Sequence, residues 1–172
     1  MEEVVVRKKV CMIGSFAVGK TSLVSRFVHQ LFSERYLTTI GVKIDRKTVH
    51  VDHHTVQLLL WDIHGDDEFQ RIRDAYLHGA GGFLLVADGT RRTTFDEALL
   101  LRERVESLAG PLPFLLLINK GDRRQDWELP EGSIERAREQ GLSVRETSAK
   151  TGEGVEDSFL ELARRMLTGL SS

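Results

Sequence analysis

The chain has 172 residues, of which 41% are hydrophobic and 29% charged, and its formal net charge is −2. This composition predicts one ordinary soluble domain with a proper core, residues 1–172, and excludes bulk electrostatic attraction to nucleic acid or anionic membranes. No apolar run is long enough to span a bilayer. The single cysteine, Cys11, lies in an apolar strand-like run, so we expect a buried structural thiol in a reducing cytosol.

Apolar strand-like runs alternate with helical patterns along the chain, which predicts an α/β fold with a mostly parallel sheet covered by helices. The predicted strands are Lys8–Ile13, Val42–Val51, Val56–Asp62, Gly82–Ala87, Phe114–Asn119 and Leu142–Glu146. The predicted helices are Lys20–Gln30, Asp67–Tyr76, Thr93–Leu108, Ser133–Gln140 and Val155–Leu167. The short polar joint "VDHHT" predicts a hairpin, which makes the second strand an antiparallel edge.

Between the first strand and the first helix stands "GSFAVGKTS", whose Gly14, Gly19, Lys20 and Thr21 fit G-x-x-x-x-G-K-[ST]. We expect the backbone N–H groups of Ala17 to Thr21 to point at phosphate oxygens, helped by the positive end of the helix. Lys20 would bridge the terminal phosphates and the Thr21 hydroxyl would ligate magnesium. A glycine-rich turn before an ordinary helix is the alternative, and this loop alone does not name the base.

A base-reading sequence follows the fifth strand, where "FLLLINKGD" supplies Asn119, Lys120 and Asp122. A carboxylate can accept hydrogen bonds from the ring N–H and the exocyclic amine of guanine, whereas adenine has no such donor pair. Facing adenine, a buried carboxylate would be unpaired and costly, so this pattern favours guanine. After the last strand, "ETSAKTG" adds Ser148, Ala149 and Lys150, and the Ala149 N–H could meet the guanine oxygen.

With these three elements in order, the chain from Lys8 to Leu167 resembles a Ras-superfamily small GTPase, and the Rab family most closely. The first switch of the family resembles "RYLTTIGVKI". The Rab run W-D-T-A-G-Q-E resembles part of "LLLWDIHGDDEFQRIRDAYLHGA". The Rab stretch that pairs D-x-T with a following S-F resembles "LLVADGTRRTTFDEA". The resemblance implies the P-loop small GTPase fold: a six-stranded, mostly parallel sheet with one antiparallel edge strand and five flanking helices. It also implies a switch whose two segments are held by GTP and magnesium and released by hydrolysis.

Residue roles implied by the resemblance fall into three sets. Magnesium would be bound by Thr21, by Thr39 and, through water, by Asp62. Phe32 would pack on the guanine, Tyr36 would close over the γ-phosphate and Gly65 would donate its N–H to that phosphate. The full nucleotide-binding set is Ser15, Phe16, Ala17, Val18, Gly19, Lys20, Thr21, Ser22, Phe32, Tyr36, Thr39, Gly65, Asn119, Lys120, Asp122, Ser148, Ala149 and Lys150.

The pattern breaks around the γ-phosphate. Asp66 stands where the family has the glutamine that orients the attacking water, Phe16 where Ras has glycine, and His64 where the family has alanine. At about 5 Å from a phosphate charge and an effective dielectric near 20, a carboxylate would be repelled by roughly 3 kcal/mol. The candidate catalytic residues are therefore Asp66, His64, Gly65 and Lys20.

Three interpretations of these departures stay open. The substitutions could leave a very slow GTPase, or Asp66 or His64 could position the water by a different geometry. In the third, Phe16 packs on the switch and His64 points to solvent, with no catalytic role for either. The alternative function is a GTP-loaded scaffold or binding module with negligible hydrolysis. A small-metabolite kinase is disfavoured, because it would need an acceptor lid and no guanine reader.

The partner surface also departs from the Rab pattern. Two of the three aromatic residues of a Rab switch surface are present, Trp61 and Tyr76, and the third is replaced by Ile44. Effector, exchange and activating proteins are expected on this surface of a monomer. The sequence ends "TGLSS" without a prenylation cysteine. Either a C-terminal tail has been removed, or we expect a cytoplasmic protein that reaches membranes only through a partner; a prokaryotic member of the superfamily would also fit.

Three further features have competing interpretations. The cluster of His50, His53 and His54 reads as a solvated turn rather than a metal site. Trp127 could anchor a partner or pack under its loop. The basic pairs at 91–92 and 123–124 are expected to be solvated.

Overall fold

The computed structural model describes residues 4–29, 41–64 and 74–168, without the side chains of 63, 64 and 74. Its strands are β1 (Val5–Gly14), β2 (Gly41–Val51), β3 (His54–His64), β4 (Ala80–Asp88), β5 (Phe114–Asn119) and β6 (Val144–Glu146). Its α-helices are α1 (Lys20–His29), α2 (Asp74–Leu77), α3 (Arg92–Ala109), α4 (Ser133–Glu139) and α5 (Val155–Leu167), and a 3₁₀ helix covers Gly121–Asp126. Of the predicted second helix, residues 67–73 lie outside the described part of the chain.

The strands form one six-stranded sheet in the order β2-β3-β1-β4-β5-β6. Among the strands of the described ranges, only the β2–β3 pair is antiparallel, so the predicted fold class is confirmed, with β2 as the antiparallel edge. The hairpin turn is Asp52–His53, with φ of 47° and 69°. Positive φ at both central residues is the geometry that suits a two-residue hairpin, because its twist matches that of the strands.

Two strand boundaries differ from the predicted ones for reasons of pairing. β1 begins at Val5 rather than Lys8, because Val5 is already in register with Thr55 of β3. β6 begins at Val144 rather than Leu142, because the Leu142 N–H donates to the Ala137 carbonyl at 3.1 Å and so completes the end of α4. The other predicted elements in the described residues agree with the structure to within two residues at each end.

Hydrophobic cores fill both faces of the sheet. On one face, α1 and α5 meet where Phe27 and Phe159 stack with ring centroids 4.1 Å apart. On the other, α3 and α4 cover a second cluster that includes Cys11 and Leu116. Burial on both faces explains why the central parallel strands are continuous apolar runs. No α-helix within the described ranges is long and apolar enough to cross a membrane.

Candidate nucleotide site

The loop after β1 needs its motif glycines. A Cβ at Gly19, where φ is 107°, would lie 2.2 Å from the Nδ2 atom of Asn119, and one at Gly14 would lie 2.4 Å from the Val86 carbonyl oxygen. Ala17 also has a positive φ, 62°. A left-handed residue within such a loop turns successive N–H groups toward a common point. The backbone therefore has the shape expected of an anion-binding loop.

Lys20 closes this loop from the side of α1. It is the first residue of that helix and only 5% exposed, and its Nζ donates to the carbonyls of Gly14 at 2.7 Å and Ser15 at 3.2 Å. A buried ammonium, backbone amides and a helix N-terminus thus converge at one place. Each of these groups favours a bound anion.

Two oxygen ligands suited to a hard cation lie next to the loop. Thr21 Oγ1 donates to Asp62 Oδ2 at 2.6 Å, and Asp62, near the carboxyl end of β3, is 1% exposed. Magnesium prefers such hydroxyl and carboxylate oxygens and usually takes its remaining ligands from phosphate and water. The residues present therefore fit the ion. Thr39, the third expected ligand, lies outside the described residues.

Asn119 joins the first and last loops of the site. At the end of β5 it donates from Nδ2 to the Val18 carbonyl at 3.0 Å, while its Oδ1 accepts from the Thr147 hydroxyl at 3.1 Å and the Ala149 N–H at 3.2 Å. The side chain is 2% exposed. Since both ends of this amide are used, the phosphate loop and the loop after β6 are held at a fixed separation.

The remaining base-reading residues also lie together. The Ser148 hydroxyl donates to Asp122 Oδ1 at 2.7 Å, which orients a carboxylate whose residue is exposed. Arg26 of α1 donates through Nε to the Ala149 carbonyl at 2.8 Å and through Nη2 to the Lys150 carbonyl. Arg26 was not identified from the sequence, because nothing in an amphipathic helix marks which arginine will reach a loop 123 residues away.

Asp88 was also not identified from the sequence. It is buried at the end of β4, where several polar side chains contact it. Its carboxylate lies 2.8 Å from Lys120 Nζ and 3.1 Å from Arg91 Nε, and it accepts from the Thr90 hydroxyl at 2.7 Å. Burial alone would raise the pKa of Asp88, but hydrogen bonds from Lys120, Thr90 and Arg91 outweigh burial and hold the pKa below its usual value. This carboxylate therefore fixes Lys120 of the base-reading sequence.

Arg91 connects that junction to the phosphate loop, since its Nη2 donates to the Phe16 carbonyl at 2.7 Å. The expectation of a solvated Arg91 is wrong, because the guanidinium is shared between Phe16 and Asp88. The Phe16 residue is 41% exposed. On the same side, the Ser15 hydroxyl donates to the Glu97 carboxylate of α3. Phe16 is thus held by its main chain and does not fill the loop.

Trp127 packs under its loop, as one of the two interpretations expected. Its Nε1 donates to the Lys120 carbonyl at 2.9 Å, and a Cβ at Gly89 would lie 2.2 Å from its ring. The Arg124 guanidinium lies 4.3 Å from the ring centre and also pairs with Glu146, so Arg124 is not simply solvated.

The expected partner-surface residues are neighbours. Ile44 is directly opposite Trp61 in the β2–β3 register and is 47% exposed. The Tyr76 hydroxyl donates to the Trp61 carbonyl at 2.6 Å, and the two rings meet edge to face at 6.1 Å.

Part of the predicted site lies outside the described residues: Phe32, Tyr36, Thr39, Gly65 and Asp66, together with the side chain of His64. The structure brings together the others, from the phosphate loop, the end of β3 and the loops after β5 and β6. All of these are at one edge of the sheet, where the parallel strands end. Open α/β sheets bind ligands at this edge.

Comparison with known proteins agrees with this geometry. The model of the Ras family matches residues 9–168. The chain belongs to the Ras family. Ras-related protein Rab-4 of Dictyostelium discoideum is 36% identical over 166 residues, which cover 95% of this chain and 81% of that protein. Ras-related protein Rab-13 of Canis lupus familiaris is 36% identical over 161 residues, covering 92% and 79%. Ras-related protein RABA6a of Arabidopsis thaliana is 38% identical over 160 residues, covering 92% and 69%.

These relatives make the chain a Rab-like small GTPase of the Ras superfamily, as its motifs indicated. Members of the Ras family bind GTP and GDP with magnesium and hydrolyse GTP. A GTP-binding switch with regulator and effector partners is thus the general function of this family of proteins.

Proposed function

We propose that residues 1–172 form a single, monomeric G domain that binds GTP and GDP with magnesium and hydrolyses GTP slowly. The observation that carries this proposal is the Asn119 amide, which ties the Val18 carbonyl of the phosphate loop to the Ala149 N–H of the last loop. A buried side chain that uses both ends in this way sets the distance between a phosphate site and a base site. An ordinary glycine-rich turn would need no such connection.

In this proposal the phosphates are held mainly by the chain's backbone. Main-chain N–H groups from Ala17 to Thr21 donate to phosphate oxygens, and the Lys20 ammonium, already buried beside the loop, turns from carbonyl to phosphate acceptors. Thr21 and Asp62, with Thr39, are the proposed magnesium ligands. Magnesium, when bound, neutralises charge on the phosphates. Gly65 and the other predicted residues outside the described ranges complete the proposed site.

Guanine selection is assigned to Asp122, which Ser148 orients at 2.7 Å. The Ala149 N–H, engaged with Asn119 at 3.2 Å, would share its proton with the guanine oxygen. We expect Asp122→Asn to lower guanine nucleotide affinity by at least about a hundredfold and to shift preference toward xanthosine nucleotides, because an amide can donate to the xanthine oxygen. Fluorescent GDP and XDP titrations measure this preference. Unchanged GDP affinity would overturn the base-reading role, and Asp126→Asn in the same 3₁₀ helix is the matched control.

Slow hydrolysis is proposed from the residues around the γ-phosphate. Asp66 is one methylene shorter than glutamine and anionic, and repulsion of roughly 3 kcal/mol would turn it away from the phosphate. Phe16, 41% exposed on the loop, would restrict access for an activating partner's arginine. His64 is the remaining candidate for positioning the water.

We expect Asp66→Gln to accelerate single-turnover GTP hydrolysis by about tenfold or more, because glutamine can orient water without repelling phosphate. The measurement is phosphate release from preloaded protein after magnesium addition. A wild-type rate equal to that of ordinary small GTPases contradicts slow hydrolysis. If the wild type is fast and His64→Ala abolishes it, the histidine takes over water positioning instead.

The second candidate function is a GTP-loaded scaffold with negligible hydrolysis. The Arg91 contact favours this function. Arg91 Nη2 donates to the Phe16 carbonyl at 2.7 Å and so holds in place the residue that would restrict access for an activating partner's arginine. Phosphate release followed over hours with magnesium separates the two functions. A scaffold would release none, whereas a slow GTPase would release phosphate to completion.

A further inference from the structure

Arg26 connects the helix that begins at the phosphate loop to the loop that follows β6. It lies in the last turn of α1, and its guanidinium donates from Nε to the Ala149 carbonyl at 2.8 Å and from Nη2 to the Lys150 carbonyl. The residue is partly buried, and it is not among the phosphate, magnesium or guanine contacts assigned above. One side chain therefore holds two consecutive carbonyls of the loop.

Ala149 is held at both ends of its backbone. Its N–H donates to Asn119 Oδ1 at 3.2 Å, and its carbonyl accepts from Arg26 Nε at 2.8 Å. The residue is buried, so the two bonds meet little competition from solvent. The direction of the Ala149 N–H is thus set before a base arrives, and a preorganised donor costs less to order when its ligand binds.

A guanidinium is well suited to fixing this loop. Its planar fork presents N–H donors in fixed directions, so two carbonyl acceptors fix the orientation of each other as well as that of the side chain. The stem of Arg26 also lies against the turn that follows, because a Cβ at Gly152 would lie 3.5 Å from Arg26 Cδ. Both the stem and the donors of this side chain therefore contact the loop.

Helix α1 links this contact to the phosphate loop. Lys20 and Thr21, at its start, belong to the proposed phosphate and magnesium sites, and Arg26 follows Lys20 by six residues, or about 9 Å along the axis. The helix is itself fixed in the core, where Phe27 stacks on Phe159 with ring centroids 4.1 Å apart. A rigid helix thus sets the position of the base loop relative to the phosphate loop.

Asp122 is oriented without help from Arg26. Ser148, which donates to Asp122 at 2.7 Å, is held within its own loop: its N–H donates to the Glu153 carbonyl at 2.9 Å, and its carbonyl accepts from the Gly152 N–H at 2.8 Å. These bonds do not involve the guanidinium. Loss of the Arg26 donors should therefore disturb the N–H that faces position 6 of the purine more than the carboxylate that faces position 2.

We propose that Arg26 is a positioning residue that determines specificity at position 6 of the purine. By holding the Ala149 and Lys150 carbonyls, it directs the Ala149 N–H at the guanine oxygen. This role rests on the proposed function, since guanine must be the base that the site binds. A purine with an amine at position 6 would set a donor against a fixed donor, and a rigid loop cannot turn away to relieve that mismatch.

Two nucleotide analogues separate the contacts at the two positions. In 6-thio-GDP only the oxygen at position 6 is replaced, by the weaker acceptor sulfur, and IDP lacks only the amine at position 2. Both keep the ribose and diphosphate of GDP, so phosphate contributions cancel in a ratio of affinities. Dissociation constants are measured at pH 7 with magnesium, by competition against a fluorescent GDP on nucleotide-stripped protein.

We expect the wild type to bind GDP more tightly than either analogue. Arg26→Met keeps much of the side-chain stem but removes the donors. It should lower the preference for GDP over 6-thio-GDP by about threefold or more, which is the scale of one neutral hydrogen bond. The preference for GDP over IDP should stay within about twofold of the wild-type value, because Asp122 keeps its orientation.

Arg138→Met is the matched control, since Arg138 also donates to a backbone carbonyl, that of Val144 at 3.0 Å, at the start of β6. It should keep both preferences. Arg26→Lys keeps the charge without the planar fork, so its position-6 preference should lie between those of the wild type and Arg26→Met. If circular dichroism shows that Arg26→Met does not fold, the same comparison is made with Arg26→Lys.

Three results would overturn the proposal: an unchanged position-6 preference in the Arg26 variant, an equal loss of both preferences, or a wild type that binds GDP and 6-thio-GDP equally. An equal loss would mean that Arg26 only supports the fold of the whole site. A wild type that binds no guanine nucleotide would instead refute the proposed function.

Discussion

Phe16 shows how a bulky side chain can stand in a phosphate-loop motif while the backbone keeps the shape of the loop. A phosphate loop works through its backbone, so a side chain directed away from the loop leaves its amides in place. The 41% exposure of Phe16 and the Arg91 contact to its carbonyl fit that account. Glycine spacing predicted the loop. The Arg91 contact could not be predicted, because it spans 75 residues and depends on how α3 approaches β1.

Cys11 illustrates the opposite case, a reactive residue type made inert by its surroundings. Its side chain is 0% exposed and its Sγ donates to the Tyr76 carbonyl at 3.6 Å. Burial raises the pKa of the thiol to about 12, and the nearby Lys9 charge only partly opposes this. The position in an apolar strand was enough to predict a structural thiol.

We therefore expect no reaction of native Cys11 with an aromatic disulfide reagent at pH 8, where the thiolate fraction would be about one in ten thousand. The measurement is absorbance of the released thiolate. One thiol per chain should react after unfolding in guanidinium. Rapid reaction of the native protein, at a rate near that of free cysteine, would contradict this expectation and show that the reagent reaches Cys11 of β1 in the folded chain.

At the scale of elements, local pattern predicted the strands well and their ends less well. Apolar runs specify that a strand exists, but its length depends on its partner, as Val5 shows by pairing with Thr55. Likewise Leu142 is apolar enough for a strand, yet its N–H completes α4. The 3₁₀ helix Gly121–Asp126 was missed because its residues carry no apolar period and are fixed by contacts to neighbouring loops.

Asp88, at the end of β4, pairs with Lys120 after β5 and with Arg91 before α3. Its charge makes the stability of these contacts depend on pH. Because its pKa is lower in the folded chain, its contribution to stability is full above the unfolded pKa of about 4 and is lost as pH falls through the folded pKa. We expect Asp88→Asn to cost about 1–2 kcal/mol of unfolding free energy at pH 7, since its partners Lys120 and Arg91 are partly exposed and screened.

Urea unfolding at pH 7 and pH 3 measures this linkage. The difference between wild type and Asp88→Asn should shrink at pH 3, because the Asp88 carboxylate is then largely protonated in the unfolded chain and folding must release that proton. Asp96→Asn on the exposed face of α3 controls for general acid effects. A difference that is equal at both pH values would mean that the Asp88 charge does not stabilise these elements.

At the scale of the molecule, the sheet gathers motifs that are distant in sequence. The carboxyl ends of β1, β3 and β5 bring Lys20, Asp62 and Asn119 to one edge, and the order of the motifs allowed this to be predicted. The ties between the loops could not be predicted, because Arg26, Asp88 and Glu97 belong to no motif and act only through tertiary contacts. The candidate ligand-binding groups could thus be predicted from the sequence, and only the structure revealed what positions them.

The most direct test of the account is the identity of the nucleotide that co-purifies with the protein. Native protein is denatured, and the released small molecules are separated by ion-exchange chromatography and identified by mass. We predict about one guanine nucleotide per chain, with release from native protein accelerated when EDTA removes magnesium. Nucleotide-free protein that shows no magnesium-dependent preference for GDP over ADP on reloading would contradict the account.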